Sequence, residues 1–236
     1  MKKAIAAASL GLCVILGFTA AYFSGYWIPN DPSPIRYPVR GIDVSSHQGE
    51  IDWTKVAKDG VDFAYLKATE GGSFKDPKFQ IYLREAQRAG LACGAYHFFS
   101  LRTPGYLQAR NFIQSVPENL PLPPAIDLEY WGNSSIRPAP AALQRELTVF
   151  VRELRQNYGR EPVFYLDPDL RRDYLKGFPV GNVWFRAVFL TPEWSGAPHW
   201  LFWQFTEKAR ISGIKGFVDA DLFSGTVDQF KSLEVR

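Results

Sequence analysis

Short apolar segments alternate with helix-like segments along most of this chain, and that alternation restricts the fold more than any other feature. The candidate strands are residues 42–44, 63–67, 92–98, 125–129, 163–166, 183–188, 201–205 and 217–219. The candidate helices are residues 53–58, 77–89, 105–116 and 139–158. Strands separated by helices indicate βαβ units and a parallel sheet. Eight such strands favour a closed barrel.

The length of the chain implies that this barrel is incomplete. A (β/α)₈ barrel typically takes about 250 residues, whereas the part of the chain that carries the predicted strands, residues 41–236, has 196. Because the connections late in the sequence are short, we expect missing or rudimentary helices after the sixth and seventh strands. The predicted fold class is therefore α/β, an irregular TIM-like barrel with eight strands and reduced helices.

The first 27 residues differ in composition from the rest of the chain. Lys2 and Lys3 precede an uncharged, largely apolar run that continues to Phe23. Twenty helical residues span roughly 30 Å, about the thickness of a bilayer core. We expect a membrane anchor at residues 1–27 that leaves the remainder extracytoplasmic, either periplasmic or at the cell surface. A cleaved signal peptide, which would give a secreted protein, and a buried helix of the fold are the alternatives.

Residues 28–40 contain four prolines, at positions 29, 32, 34 and 38. Such a density of proline favours an extended, semi-rigid spacer. We therefore place a linker at residues 28–40 and one folded domain at residues 41–236.

Charge and cysteine content exclude several classes of protein. The chain has 27 basic and 24 acidic residues, a formal charge of +3, which is too balanced for a typical nucleic-acid binder. Its two cysteines, Cys13 and Cys93, can build neither a disulfide framework nor a cysteine-based zinc site. We expect a monomer that uses no metal or other cofactor and binds no nucleic acid.

Acidic residues fall at the ends of three candidate strands. Asp43 lies at the carboxyl end of the first strand, Asp127 and Glu129 at that of the fourth and Asp219 at that of the eighth, with Asp221 two residues beyond. In a parallel barrel the carboxyl ends of the strands form the active face. We therefore expect these side chains to meet at one end of the barrel.

The pair formed by Asp127 and Glu129 is the most informative of these acids. Residues two apart on a strand face the same side, with about 6–7 Å between them. Two carboxyl groups at such a spacing suit glycosidic cleavage, in which one protonates the leaving oxygen and the other faces the developing positive charge. Crowding raises the pKa of neighbouring acids, which helps to keep one protonated. A solvated or merely hydrogen-bonded pair is the structural alternative.

Six motifs, in order along the chain, carry a family resemblance. They are GIDVS at 41–45, LKATEG at 66–71, GAYHF at 94–98, DLEYWG at 127–132, WQFT at 203–206 and VDADLF at 218–223. Together they resemble glycoside hydrolase family 25, the Chalaropsis-type lysozymes. The resemblance implies an irregular barrel that hydrolyses the β-1,4 bond between N-acetylmuramic acid and N-acetylglucosamine, with peptidoglycan glycan strands as the partner.

The resemblance also implies roles for individual acids. Glu129 matches the general acid of the family, and Asp127 matches the acid that orients the substrate N-acetyl group or stabilises an intermediate. Asp43 and Asp219 match the two remaining acids of the pocket. Asp221 stands where the family more often has Asn, which adds a negative charge. The attacking group is either the acetamide of the substrate or a water molecule.

Aromatic residues near the predicted strand ends are candidates for sugar contacts, because pyranose C–H groups pack against rings. Core packing is the alternative for most of them. The candidates for substrate binding are Tyr96, Tyr130, Trp131, Tyr165, Trp184 and Trp203, together with Asp221.

Two other functions remain open from the sequence. In a metal-dependent phosphoryl or acyl hydrolase, the four acids would be oxygen ligands for Mg²⁺ or Ca²⁺. A non-catalytic glycan-binding scaffold is the third reading. Loss of activity on chelation distinguishes the first of these from a muramidase.

Overall fold

The computed structural model describes residues 2–166, 168–192 and 199–234 of the chain. Its strands are β1 (Arg40–Val44), β2 (Phe63–Glu70), β3 (Phe74–Lys75), β4 (Ala92–Phe98), β5 (Ala125–Leu128), β6 (Val163–Leu166), β7 (Asn182–Arg186), β8 (Phe202–Ala209) and β9 (Val218–Phe223). Its helices are α1 (Lys2–Phe23), α2 (Trp53–Lys58), α3 (Phe79–Arg88), α4 (Gly105–Ile113), α5 (Pro140–Tyr158), α6 (Pro168–Tyr174) and α7 (Val227–Leu233), with a 3₁₀ turn at Ser46–Gln48.

Eight of these strands close into a barrel, which confirms the predicted fold class. The ring runs β1-β9-β8-β7-β6-β5-β4-β2 and closes through the pairing of β1 with β2. The two-residue strand β3 lies outside the ring as an antiparallel extension of β2.

The last strand departs from the parallel sheet that the sequence predicted. β9 runs antiparallel to both of its neighbours, β1 and β8. Residues 210–217 are the whole connection between β8 and β9, whereas a parallel crossover needs a dozen or more residues. The start of β9 therefore lies at the end of the barrel where the other strands finish.

The helices follow local signals in the sequence. α5 begins with Pro140 at its first turn and ends at Gly159, whose φ of 63° places it in the left-handed region. Its buried residues are Leu143, Leu147, Phe150, Val151 and Leu154, a spacing that puts one face against the sheet. α6 has only seven residues, and no helix occurs between β7 and β9 in the described part of the chain, so the helices are reduced as expected.

Aromatic side chains fill the interior of the barrel below its carboxyl end. Tyr65, Phe63 and Phe202 pack with ring centroids 5.1–6.4 Å apart, and Trp184 lies 4.8 Å from Tyr65. Gly94 makes room for this packing, since a Cβ there would lie 2.4 Å from the Tyr65 ring. Among the described residues, this packing fills the interior below the pocket that lies at the carboxyl ends of the strands.

The N-terminal segment forms helix α1, whose carboxyl end contacts the barrel. Arg210 Nε donates a hydrogen bond of 2.8 Å to the carbonyl oxygen of Ser24, and Lys208 Nζ lies 5.4 Å from the centre of the Tyr22 ring. Among the described residues, no helix is long and apolar enough to cross a membrane. The predicted transmembrane helix is therefore not supported by the structure.

The proline-containing segment that follows α1 packs along the barrel instead of standing away from it as a spacer. Tyr37 is only 6% exposed, with its ring centre 5.7 Å from that of Trp200 and 5.9 Å from that of Trp203. Asn30 Nδ2 donates to the carbonyl oxygens of Ala187 and Leu190, at 2.9 and 2.6 Å. Apolar and hydrogen-bonding residues between the prolines account for this docking.

Candidate active site

Four acids converge at the carboxyl end of the barrel, as the sequence predicted. Asp43 of β1, Asp127 of β5, Glu129 just beyond β5 and Asp219 of β9 line one pocket of about 100 Å³. The remaining wall is formed by Tyr96, Tyr165, Trp184 and Gln204. A larger hollow of about 590 Å³ lies beside α6, but no carboxyl group lines it. The smaller pocket, in which four carboxyl groups meet, is therefore the candidate site of acid–base chemistry.

The antiparallel direction of β9 explains how Asp219 reaches the pocket. Asp219 pairs directly with Asp43, so both side chains enter the barrel at the same level. Asp221 pairs with Gly41, two residues closer to the start of β1, and it is fully buried. Asp221 therefore lies below the pocket rather than in its wall.

Glu129 is positioned by a turn that was not predicted from the sequence. Asn133 Nδ2 donates to the carbonyl oxygens of Glu129 and Phe99, both at 3.0 Å, and Asn133 Oδ1 accepts from the Leu101 N–H at 3.0 Å. Gly132 has a φ of 75°, a conformation that glycine adopts without strain. Asn133 thus ties the segment after β5 to the segment after β4. The Gly-Asn pair after the DLEYW run was the signal for it.

Burial and mutual repulsion raise the pKa values of the acids. The pKa of Asp43 lies well above its usual range because of burial and the charges of Asp219, Asp221, Asp127 and Glu129. Burial and the charge of Glu129 raise the pKa of Asp127 likewise. The pKa of Asp219 is raised to about 7 by burial and by the charges of Glu207 and Glu129. The pocket therefore favours protonated carboxyl groups at neutral pH.

Two cations oppose this repulsion from opposite sides. Lys67 lowers the pKa of Asp127, and its Nζ lies 2.8 Å from Glu70 Oε2 and 4.9 Å from the centre of the Phe98 ring. Arg186 lowers the pKa of Asp219 and is hydrogen bonded to Glu207. Neither Arg186 nor Glu207 was predicted from the sequence to have a role at the site.

A hydrogen-bonded chain links the aromatic wall to the acids. Tyr165 Oη donates to Gln204 Oε1 at 2.7 Å, and Gln204 Nε2 donates to Asp43 Oδ2 at 3.3 Å. Burial and the nearby carboxylates raise the pKa of Tyr165, so its hydroxyl remains a donor. Gln204 was part of the WQFT motif but was not predicted as a site residue.

Some residues predicted to bind substrate lie elsewhere. Trp203 is 1% exposed in the outer core and donates from Nε1 to the Ala187 carbonyl oxygen at 2.9 Å. Tyr130 is half-buried, with its hydroxyl bonded to Asp173. Trp131 is 85% exposed. Neither Tyr130 nor Trp131 lines the pocket, because the chain turns away from the barrel after Glu129.

His97 is structural. It is fully buried, with its ring nitrogens bonded to Thr69 Oγ1 at 2.7 Å and Gln108 Oε1 at 3.0 Å. Burial lowers the pKa of His97 to about 4, so the ring is neutral. No group of three or more His, Cys, Asp or Glu side chains in the described ranges is arranged to hold a metal ion.

Comparisons with known proteins agree with the geometry. The family described as Glycosyl hydrolases family 25 matches residues 42–214. An uncharacterised protein of Escherichia coli strain K12 is 32% identical over 84% of this chain and 74% of its own. Lysozyme M1 of Streptomyces globisporus is 30% identical over 83% of this chain and 71% of its own.

A solved structure shares the fold. The family 25 glycosyl hydrolase of Bacillus anthracis is 34% identical, with a TM-score of 0.79 over 85% of this chain and 95% of its own. The family match, the barrel and the four acids all agree with one assignment. The chain belongs to glycosyl hydrolases family 25, and it is a glycoside hydrolase.

Proposed function

We propose that this enzyme is a lysozyme, a muramidase that hydrolyses the β-1,4 bond between N-acetylmuramic acid and N-acetylglucosamine in bacterial peptidoglycan. The observation that carries the proposal is the convergence of four carboxyl groups in one pocket of a family 25 barrel. The similarity to Lysozyme M1 supports the same substrate class. The enzyme acts on this wall polymer outside the cytoplasm, as a monomer.

Glu129 is the general acid in this proposal. As the bond from the anomeric carbon breaks, its proton passes to the departing glycosidic oxygen, which would otherwise leave as an alkoxide. The hydrogen bond from Asn133 Nδ2 to the carbonyl oxygen of Glu129 holds the acid at the pocket edge. Asp219, whose pKa is about 7, is partly ionised at neutral pH and supplies negative charge that faces the developing oxocarbenium ion, and Asp43 lies beside it in the pocket.

In this proposal, Asp127 receives the N-acetyl group of the substrate. Its Oδ1 is buried and has no hydrogen-bond partner among the described residues. A buried acceptor without a donor is costly, and the amide N–H of an N-acetyl sugar is a donor that would satisfy it. Asp127 would then orient the acetamide for attack on the anomeric carbon. Acetamide attack retains the anomeric configuration and direct attack by water inverts it, so NMR of the first product distinguishes the two routes.

The proposal is tested by Glu129→Gln in the purified full-length chain. The amide keeps the shape of the side chain but has no acidic proton, so release of muropeptides from purified peptidoglycan should fall by about 10²–10⁴-fold. The matched control is Glu118→Gln, since Glu118 is exposed on a loop distant from the pocket. Circular dichroism verifies that both variants are folded.

Three outcomes would contradict parts of this proposal. Activity of the Glu129→Gln variant within about threefold of the wild type would remove Glu129 as the acid. Inhibition by a chelator would favour a metal-dependent hydrolase. Binding of glycan without release of any muropeptide by the wild type would favour a non-catalytic scaffold. Mass spectrometry of the released fragments identifies the bond that is cut.

The N-terminal residues are proposed to direct the enzyme out of the cytoplasm. The support is the pair Lys2 and Lys3 followed by an uncharged run, a pattern shared by membrane anchors and signal peptides. Cell fractionation tests the idea. Intact chain in the membrane fraction favours an anchor, a shortened extracytoplasmic form favours cleavage, and intact chain entirely in the soluble cytoplasmic fraction contradicts both.

A further inference from the structure

Most of the large apolar side chains that are exposed among the described residues lie on α1 or around its carboxyl end. Residues 11–20 of this helix are exposed throughout, and they include Leu12, Ile15, Leu16 and Phe18. Soluble monomers rarely leave a continuous apolar surface of this kind in water. The surface therefore calls for a partner.

The same surface continues from α1 onto two loops of the barrel. The centre of the Tyr22 ring lies 5.5 Å from that of Phe189, which follows β7. Lys208 Nζ, near the end of β8, lies 5.3 Å from the centre of the Phe23 ring and 5.2 Å from that of Phe217, in the connection to β9. The helix end and the two loops thus form one face of the molecule.

The part of this face next to the barrel, here called the basic aromatic patch, combines exposed apolar groups with cations. Its members are Phe23, Tyr26, Phe189, Leu190 and Phe217, with Lys208 and Arg210. The guanidinium carbon of Arg210 lies 5.0 Å from the centre of the Tyr26 ring and 5.1 Å from that of Phe217. Within the described ranges neither Lys208 nor Arg210 forms an ion pair. Their positive charges are therefore available to negative groups from outside the chain.

This composition suits a lipid surface better than a second copy of the chain. Aromatic side chains are enriched at the level of the lipid headgroups, and Lys and Arg are attracted to anionic lipids. Residues 1–30 and 208–217 contain no acidic residue. Two copies that met through this patch would bring the same cations together without an acid to offset them.

We propose that the basic aromatic patch holds the barrel against an anionic lipid bilayer, with Phe189, Leu190 and Phe217 at the level of the headgroups and Lys208 and Arg210 facing lipid phosphates. The inference rests on the anchor form of the proposed N-terminal role and extends it, because the barrel becomes a second lipid-binding element. Both loops follow strands whose carboxyl ends lie at the pocket, so the pocket end of the barrel is the end beside the bilayer.

Fluorescent labels on the full-length chain test this inference in vesicles. Cys13→Ser removes the exposed native thiol, and Cys93 is buried, so an environment-sensitive thiol dye attaches to an introduced cysteine. Phe189→Cys and Phe217→Cys place the dye in the patch. Val227→Cys is the matched control, since Val227 is 43% exposed at the start of α7, which follows the antiparallel strand β9 at the opposite end of the barrel.

The labels in the patch should report contact with lipid. In vesicles that contain phosphatidylglycerol, we expect the dye at positions 189 and 217 to shift its emission to shorter wavelengths. We expect nitroxides on the lipid chains to quench it about twofold or more, because interfacial side chains lie about 5–10 Å deep in the boundary between headgroups and acyl chains. The dye at position 227 should show neither change. Vesicles of phosphatidylcholine alone should give smaller shifts, since they lack the negative charge that attracts the two cations.

Several results would overturn the inference. Equal quenching at all three positions in a chain that floats with the vesicles would overturn it and leave the anchor standing, whereas a chain that does not float would overturn both. Equal shifts on the two kinds of vesicle would overturn the role of the cations. An emission shift that needs no vesicles and grows with protein concentration would assign the patch to a second copy instead. Muropeptide release by the same preparations is measured separately, so these results are distinct from a failure of the muramidase proposal.

Discussion

Replacing Asp219 with Asn should make the protein more stable at pH about 8 and less active. Burial raises the pKa of Asp219 from 3.8 to about 7. Between those two values the unfolded chain releases a proton that the folded chain retains, so stability falls as the pH rises. A shift of about 3 units corresponds to about 4 kcal/mol at about 1.4 kcal/mol per unit. Because Asp219 is only half-buried, solvent screens part of this cost, and we expect about 2–4 kcal/mol.

Urea unfolding at pH about 4 and about 8 measures this effect. With an m value of about 2–3 kcal/mol/M, Asp219→Asn should raise the midpoint by about 1 M or more at the higher pH and by little at the lower pH. Muropeptide release should fall, because the variant lacks a pocket charge. Glu118→Gln, a substitution at an exposed position, should change neither the urea midpoint nor the release of muropeptides. Equal midpoints for wild type and Asp219→Asn at both pH values would refute the argument that this charge destabilises the folded protein.

Three further changes test other parts of the structure. Lys67→Met removes a cation that lowers the pKa of Asp127. Since the reaction uses ionised Asp127 in this proposal, the acidic limb of the pH–rate profile should move to higher pH. An unmoved limb would exclude an effect of Lys67 on the ionisation of Asp127. Tyr37→Ala should destabilise the fold by about 3 kcal/mol in urea unfolding, because the ring is buried against the barrel; a change below about 0.5 kcal/mol would mean that the segment is not docked in solution. Gly105→Ala should cost about 1–3 kcal/mol or more, since its Cβ would lie 2.0 Å from the Glu146 carbonyl oxygen; an unchanged thermal midpoint would contradict that close approach.

Most of the barrel could be predicted because its strands are continuous apolar runs bounded by turns and helices. β4 and β6 have the bounds that the pattern predicted. The direction of β9 could not be read from apolar content, which is the same for parallel and antiparallel strands. The length of the connection before β9 was the available signal, because it is too short for a crossover. The docking of residues 28–39 depends on tertiary contacts of Tyr37 and Asn30 that no local pattern displays.

The residues of the candidate site also divide into those that the sequence pattern predicts and those that it does not. The acids were predictable because strand ends and alternation decide where a side chain points, and Asp219 reached the pocket even though its strand runs the other way. Trp203 and Trp131 were indistinguishable from sugar-binding residues by type alone; one is buried outside the barrel and the other is exposed beyond it. Gln204 was not predicted as a site residue, because an uncharged amide side chain adds nothing to the pattern of acidic residues in the sequence.

The docked segment between α1 and β1 fixes where helix α1 leaves the barrel relative to the pocket. Ser24 is bonded to Arg210 after β8, and Asn30 is bonded to residues after β7, so α1 leaves the barrel at the end that carries the pocket. A flexible tether lets an enzyme sweep a wide volume at low effective concentration, whereas a short rigid one confines it to a thin shell at high effective concentration. If α1 acts as the proposed anchor, the pocket therefore meets only the glycan strands that lie immediately beside the attachment point.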